Sequence, residues 1–319
     1  MNLDAPSPAR RRVLRLLASA ATLAGISGTV PGHAASASRP SAAADVLMRR
    51  IPASGDWIPA IGLGTYRSFD VGADEAQRAP LREVLRRFVA LGGAVIDSSP
   101  MYGRAESVVG ALADEIGVAS RLFLATKVWT RGRAAGIEQM ETSLRRLRVA
   151  RLDLMQIHNL LDLDAHLETL RAWKEDGRIR YIGITHYHAG AHDELARLVQ
   201  RGAFDFVQVN FSIAEREAEA NLLPIAREHG TAVVINRPFA QAGLFGRVRG
   251  RALPAWCAEF DCTSWAQFFL KYIVAHSAVT CVIPATSNPD HLADNMRAGV
   301  GALPDEATRR RMVALLAAL

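Results

Sequence analysis

The chain predicts an α/β protein: a single (β/α)8 TIM barrel with an N-terminal hairpin and an additional C-terminal helix, behind a cleavable signal segment. Three observations predict it. Eight short apolar runs alternate with amphipathic stretches, and parallel strands buried on both faces read as continuous apolar runs. The alternation fills about the 250 residues that a closed eight-stranded barrel uses. No Gly-rich G-x-G-x-x-G turn follows the first run, as an open dinucleotide-binding sheet would require; Gly62-Leu63-Gly64 lies inside that run and opens no helix.

The elements follow in chain order. Arg10, Arg11, Arg12 and Arg15 precede apolar and small residues from Leu16 to Val30, and Ala35-Ser36-Ala37 has the A-x-A form of a cleavage site. This is an export-signal layout, and the consecutive arginines resemble the twin-arginine type. Residues 1–37 are therefore the expected leader, 38–48 a linker and 49–319 the barrel. The implied partner is the twin-arginine export machinery, and the implied location is the periplasm after cleavage near Ala37. Arg50–Trp57, with Ser54-Gly55-Asp56, reads as a hairpin closing the bottom of the barrel. The strands are then Ile61–Thr65, Ala94–Asp97, Leu122–Val128, Leu152–His158, Tyr181–Thr185, Phe206–Asn210, Ala232–Asn236 and Val279–Pro284. Between them, Leu81, Val84, Leu85, Phe88 and Val89 recur at helical spacing, as do Leu144 and Leu147, and Leu195, Leu198 and Val199. Gln241–Pro254 is rich in Gly and Arg, shows no period and reads as a long functional loop.

Composition narrows the function. The net charge of +6 is partly the leader's, and no Lys/Arg stripe interleaved with aromatics points to nucleic acid. No later apolar run has the length of a membrane span, so stable insertion is not expected. Cys257, Cys262 and Cys281 are too few and odd for a disulfide framework. Cys257 and Cys262 could pair if their backbones approach, but buried free thiols are the expectation.

In a barrel the chemistry sits where the strands end at their C-terminal side. There the sequence places Asp97, followed by Tyr102, then Lys127, then His158 and Asn159. Each has a structural reading by itself: a turn cap, a rim aromatic, a surface cation, a core histidine. Lys127 stands out, because only Lys127, Lys174 and Lys271 are lysines among 38 basic residues, and lysine alone offers a compact, tunable charge. Together the four can reduce a carbonyl. Tyrosine donates the proton, the ammonium is expected to lower its pKa, aspartate holds the lysine, and histidine orients the carbonyl oxygen. Asp97, His158 and His186 could instead ligate a metal; the favoured reading has no metal.

These residues lie in V-I-D-S-S-P-M-Y-G-R-A-E, T-K-V-W and D-L-M-Q-I-H-N, which resemble the aldo/keto reductase family. I-P-A-I-G-L-G-T-Y, G-R-I-R-Y-I-G-I-T-H and I-P-A-T-S-N-P-D-H-L-A-D-N fall in the same order, so the resemblance covers nearly all of the chain after residue 50. It implies a tetrad of Asp97, Tyr102, Lys127 and His158, a small carbonyl or alcohol substrate, and NADP(H) as cofactor, with NAD(H) as the second candidate. It implies cofactor contacts at Gly64, Thr65, Tyr66, Gln208, Thr286 and Asn295, and Trp129 and Asn159 in the substrate pocket. The chain departs from the family at other cofactor positions. Thr185-His186 replaces a Ser-Asn pair. Asn236 stands where a tyrosine stacks on the nicotinamide, followed by Arg237, Pro238 and Phe239, so that a flat guanidinium is the available substitute. Ala285 and His291 replace a basic pair for the 2′-phosphate, which implies weakened NADPH selectivity. A cofactor-binding barrel with a regulatory or partner-binding role is the alternative to a working reductase.

Overall fold

The computed structural model describes residues 46–319. The predicted leader, its cleavage site and the linker as far as residue 45 lie outside the described residues. The end of that linker is already structured: Val46 bridges Val300, and Leu47 N–H donates to Gly299 O at 2.7 Å.

Strands β1 (Met48–Arg50) and β2 (Trp57–Pro59) form an antiparallel hairpin. The predicted hairpin segment is its turn. Eight parallel strands follow: β3 (Leu63–Gly64), β4 (Val95–Asp97), β5 (Phe123–Val128), β6 (Leu152–His158), β7 (Ile179–Thr185), β8 (Phe206–Asn210), β9 (Ala232–Asn236) and β10 (Cys281–Val282). They pair in sequence order. Parallel bridges from Ile61 to Val282 and from Gly64 to Ala285 join the last strand to the first and close the barrel. The strands expected at 152–158, 206–210 and 232–236 fall within or on the observed limits. β3 and β10 are shorter than expected, because they meet only through those bridges.

The outer layer is α1 (Glu75–Ala90), α2 (Ala105–Glu115), α3 (Arg133–Leu147), α4 (Leu163–Glu175), α5 (His192–Gln200), α6 (Leu222–Glu228), α7 (Gly243–Arg247), α8 (Trp265–Val274), α9 (Pro289–Arg297) and α10 (Glu306–Ala317). Local chemistry starts several of them: Asp74, Ser264, Asn288 and Asp305 each accept a first-turn backbone N–H through the side chain, satisfying donors the helix leaves unpaired. The predicted stripe of α1 (Leu81, Val84, Leu85, Phe88, Val89) is its buried face, each such side chain contributing about 1.5–3 kcal/mol on burial. Helix α10 is the expected additional C-terminal helix. The Gln241–Pro254 stretch is not wholly irregular, since it contains α7, anchored by buried Leu244.

Side chains alternate along a strand, so every second residue of each barrel strand enters the interior. At the lower end these are Phe123, Ala125, Leu154, Tyr181, Phe206, Ala232 and Val234, packed with Ile51 and Ile58 of the hairpin segment. Continuing along the same inward faces toward the strand ends gives Lys127, Gln156, His158, Thr185, Gln208 and Asn236. The pleat thus converts an apolar plug into a polar mouth without changing face.

Candidate active site

Lys127 is fully buried on β5. Its Nζ donates to Asp97 Oδ2 at 2.5 Å and to Ser98 O at 2.6 Å. Asp97, at the end of β4, uses its other oxygen to accept Gln156 Nε2 at 3.0 Å and Gln208 Nε2 at 2.8 Å. Register makes these contacts possible. Lys127 lies opposite Gln156, and Gln156 opposite Gly183. A Cβ at Gly183 would come within 2.9 Å of Gln156 Cγ, so glycine there keeps room for the amide. A buried ion pair is tolerated only when its remaining valences are satisfied, and here they are.

Tyr102 follows β4 in the turn before α2. The Lys127 ammonium lies 5.1 Å from its ring centroid. His158 stands edge-on to the Tyr102 ring, with centroids 6.3 Å apart, and its Nδ1 lies 3.2 Å from Ser99 Oγ. The four predicted residues therefore converge. Asp97 is held by Lys127 and two amides rather than by histidines, and no cluster of three or more His, Cys, Asp or Glu side chains among the described residues forms a metal-ligand set.

The expected direction of the Tyr102 shift is corrected. Burial pushes its hydroxyl above the ordinary phenol value, and the Lys127 charge only opposes that rise. Desolvation wins because the phenol is buried while Lys127 is already neutralised by Asp97. For Lys127 the balance runs the other way. Burial works against its charge, but the Asp97 carboxylate and then Tyr102 lift it above the usual lysine value. His158 is pushed down to about 3 by burial, then by the Lys127 and His186 charges, so it is neutral at ordinary pH. The site is a neutral phenol and a neutral imidazole above a fixed ammonium.

The predicted cofactor residues divide into groups. Thr65 is buried, its Oγ1 donating to Asp97 O and Ser98 Oγ, both at 3.0 Å. Gly64 pairs with Asp97 across β3 and β4, and Tyr66 is exposed, with its ring 5.0 Å from that of Tyr102. Gln208 accepts from Thr185 Oγ1 at 3.0 Å and from Asn236 Nδ2 at 3.3 Å, and its own amide N–H groups reach Asp97 and Gln156. Its side chain is thus engaged in holding the tetrad. His186, pushed down to about 4 chiefly by burial, accepts Asn236 Nδ2 on its carbonyl at 3.0 Å. Arg237 is turned toward Tyr187: it donates to Tyr187 O at 2.8 Å, with Cζ 5.8 Å from the Tyr187 ring centroid. Pro238 is buried and Phe239 half-buried; Phe239 packs on Phe245 of α7 at 4.8 Å. Thr286 and Asn295 are buried, and Ala285 and His291 exposed. Trp129 is 40% exposed, with its ring 6.3 Å from His158. It faces the mouth rather than filling a barrel–helix contact.

Sequence reasoning missed Gln156, Ser98 and Ser99 as supports. Gln156 was findable, because it stands two residues before His158 and so shares its inward face. The serines sit within the motif that carries Asp97 and Tyr102, but nothing in their type marks which one meets the histidine.

The mouth also fits a polar guest. Asn159 Oδ1, Asn236 Oδ1 and Arg237 Nε are buried without a hydrogen-bond partner, a state that costs about 1–3 kcal/mol for each group. All three lie where β6 and β9 end. They suit an amide-bearing group such as a nicotinamide carboxamide.

A model of the aldo/keto reductase family matches residues 60–311. Methylglyoxal reductase YeaE of Escherichia coli (strain K12) is 32% identical over 256 residues, covering 77% of this chain and 88% of its own length. The NADH-specific methylglyoxal reductase of the same organism is 24% identical over 193 residues, covering 50% of this chain and 58% of its own. Among solved structures, an aldo/keto reductase from Klebsiella pneumoniae in complex with NADP and acetate is similar at 28% identity, with 85% of this chain and 96% of that one covered and a TM-score of 0.73.

Proposed function

The chain belongs to the aldo/keto reductase family, and we propose that its substrate is a small reactive carbonyl, methylglyoxal-like 2-oxoaldehydes first among them, reduced in the periplasm. It is an NAD(P)H-dependent carbonyl reductase, with NADP(H) the principal cofactor. One observation carries the mechanism: the buried Lys127–Asp97 pair lies beneath Tyr102, with His158 edge-on to the same ring.

When bound, the cofactor supplies the hydride. Gly64, Thr65, Thr185, His186 and Asn236 are the residues that would hold its nicotinamide end, and Thr286 and Asn295 the other. The protein does the rest. Neutral His158 positions the carbonyl oxygen by hydrogen bonding. Tyr102 gives that oxygen its proton. The ammonium of Lys127, fixed by Asp97, stabilises the phenolate left behind, a charge that buried surroundings would otherwise penalise. Trp129 and Tyr66 offer apolar walls to a small substrate at the mouth, and Asn159 a polar contact.

One feature supports export: the leader carries Arg10, Arg11 and Arg12 ahead of an apolar run. That route moves folded protein, so the barrel would cross with its cofactor loaded. The test is a screen of aldehydes, ketones and quinones with NADPH and NADH, beside nucleotide titration by tryptophan quenching. Turnover of 2-oxoaldehydes with either nucleotide is expected; nucleotide binding without turnover of any carbonyl would overturn the reductase. Fractionation tests location: changing the three arginines to lysine is expected to retain the protein in the cytoplasm, and unchanged export would remove the twin-arginine reading.

A further inference from the structure

Two of the three cysteines sit in a piece of backbone that brings side chains together. Ala255–Phe260 forms a short 3-10 helix, and Asp261 follows in the left-handed region at φ +53°. Cys262 N–H then donates to Cys257 O at 3.1 Å, and Asp261 N–H to Ala258 O at 3.2 Å. These nested bonds are a Schellman ending, in which the first and last of six residues rest their side chains on each other. An apolar pair normally occupies those two places; here both are cysteine. The bond between Cys262 N and Cys257 O also holds the two Cα atoms near the span a disulfide requires, about 4.4–6.8 Å.

Both thiols are free and buried, yet they lie one layer below an exposed turn: Ala255, Ala258, Glu259, Asp261 and Thr263 are all exposed. A single turn of this kind opens locally without unfolding the barrel. The closeness of the two thiols pushes Cys257 up and holds Cys262 below the ordinary thiol value against burial, and Cys262 Sγ donates to Ser264 O at 3.4 Å. The thiolate is the attacking species.

We propose that Cys257 and Cys262 are an oxidation site that closes to a disulfide by exchange with a protein or small-molecule disulfide. That closure takes place outside the cytoplasm rests on the export reading above; the capacity to close does not. The Cys262 sulfur, its proton lost to water, attacks one sulfur of the reagent and expels the other as a thiol. Cys257 then loses its proton, attacks Cys262 Sγ and expels the second reagent thiol. The protein gives up two hydrogens and the reagent gains them.

The bond would fasten a strategic corner. The turn connects the mouth segment that contains α7 to α8. Ser264, two residues past Cys262, caps α8 and donates to Asp294 of α9 at 2.6 Å. Oxidation therefore stiffens the turn through which the mouth segment enters α8.

The full-length protein, purified reduced, is incubated with oxidised glutathione, then unfolded, alkylated and digested with trypsin. The Ala252–Lys271 peptide holds both cysteines, and Cys281 falls in a separate peptide. The expected result is an Ala252–Lys271 peptide lighter by two hydrogens and unlabelled, with Cys281 labelled. The melting temperature should rise by a few degrees and return with dithiothreitol. Cys257→Ser should instead trap a glutathione adduct on Cys262. Three labelled cysteines after oxidation, or a stable adduct on the unsubstituted protein, would overturn the site. The same digest on protein from the periplasm tests the compartment separately: free thiols there beside a bridge formed in vitro would keep the site and overturn its use after export.

Discussion

The two ends of the barrel carry polar clusters on the same strands and treat them in opposite ways. At the floor, Arg180 near the start of β7 bridges Asp56 at 2.5 Å and Asp153 at 3.0 Å. Tyr181 Oη donates to Asp56 at 2.8 Å, and Asp153 also accepts Leu124 N–H at 2.8 Å. The Arg180 and Asp56 side chains are 35% and 46% exposed. At the mouth, Lys127 and Asp97 are 0% and 4% exposed, and unpaired buried atoms lie where β6 and β9 end. Backbone strain separates the ends too. Of ten non-glycine residues with positive φ among those described, Asn159, Leu160 and Asp162 follow β6, and Arg237, Ala240, Gln241 and Ala242 follow β9. Such positions cost of order 1 kcal/mol or more each. The Arg180 cluster at the floor is paired and screened, which is what stability asks, although Arg49 Nε of the hairpin is buried without a partner. The mouth holds strain and open valences, which is what a ligand can use.

Substitutions at the two ends should separate activity from stability. Tyr102→Phe is expected to lower kcat by ~10²-fold or more while nucleotide binding stays near wild type; turnover close to wild type on a good substrate would break the contrast. Lys127→Arg should be nearly as damaging as Lys127→Met, because the guanidinium cannot fit the compact site between Asp97 and Ser98 O. Steady-state rates for the two variants check this, and substantial activity in the arginine variant would reduce Lys127 to a charge holder. Ala285→Lys, at the edge of the mouth, should raise the NADPH/NADH ratio of kcat/KM by roughly 10-fold or more, the scale of one charge-assisted phosphate contact; an unchanged ratio would put the phosphate elsewhere. At the floor, Asp56→Asn should leave kcat/KM untouched and cost about 1 kcal/mol or less in denaturant unfolding, since the pair is half exposed.

Acid should also distinguish the ends. Asp56 is held below the usual carboxylate range first by the Tyr181 hydrogen bond, with burial opposing and Arg180 assisting. A depressed acid stabilises above its unfolded pKa, so this contribution is intact at neutral pH and is lost only below about 4. His158 has a folded value of about 3 against an ordinary 6.5. The unfolded chain therefore takes up a proton first, and stability drains as pH falls from 6.5 toward 3. His158→Gln should flatten that part of the stability–pH curve; an unchanged slope would mean the imidazole is charged in the fold. No His158 limb is expected in kcat/KM between pH 5 and 8.

The barrel was legible because fully buried strands leave apolar runs: β9 is unbroken as far as Asn236, and β6 and β8 are interrupted before their ends only by Asp153 and Gln156 and by Gln208. β3 and β10 were overextended, since an apolar run does not show where a ladder thins to bridges. Helix α7 was invisible because five residues, two of them glycine, are too few to display a period. The convergence of Asp97, Tyr102, Lys127 and His158 was legible from residue types at and just after strand ends. The pKa direction of Tyr102 was not, because it depends on how deeply the phenol is buried. The engagement of Gln208 and the turn of Arg237 toward Tyr187 depend on neighbours far away in sequence.

The seam between β3 and β10 has a consequence for the lifetime of the folded state. From β4 to β9 neighbouring strands share ladders of three or more pairs, but here Gly62 N–H, Gly64 N–H and Val282 N–H carry the closure at 2.8, 3.1 and 2.9 Å. This is the stave joint of the cask, where amide hydrogens should exchange with solvent earliest. Gly64 and Thr65 on one side and Thr286 on the other are also the residues proposed above to hold the two ends of the cofactor. A nucleotide held by both sides would act as a hoop across the joint. Deuterium uptake at residues 61–65 and 281–286 should therefore slow with bound NADPH more than uptake at β6 and β7 does; equal protection throughout would mean that the joint is as tight as the rest of the wall.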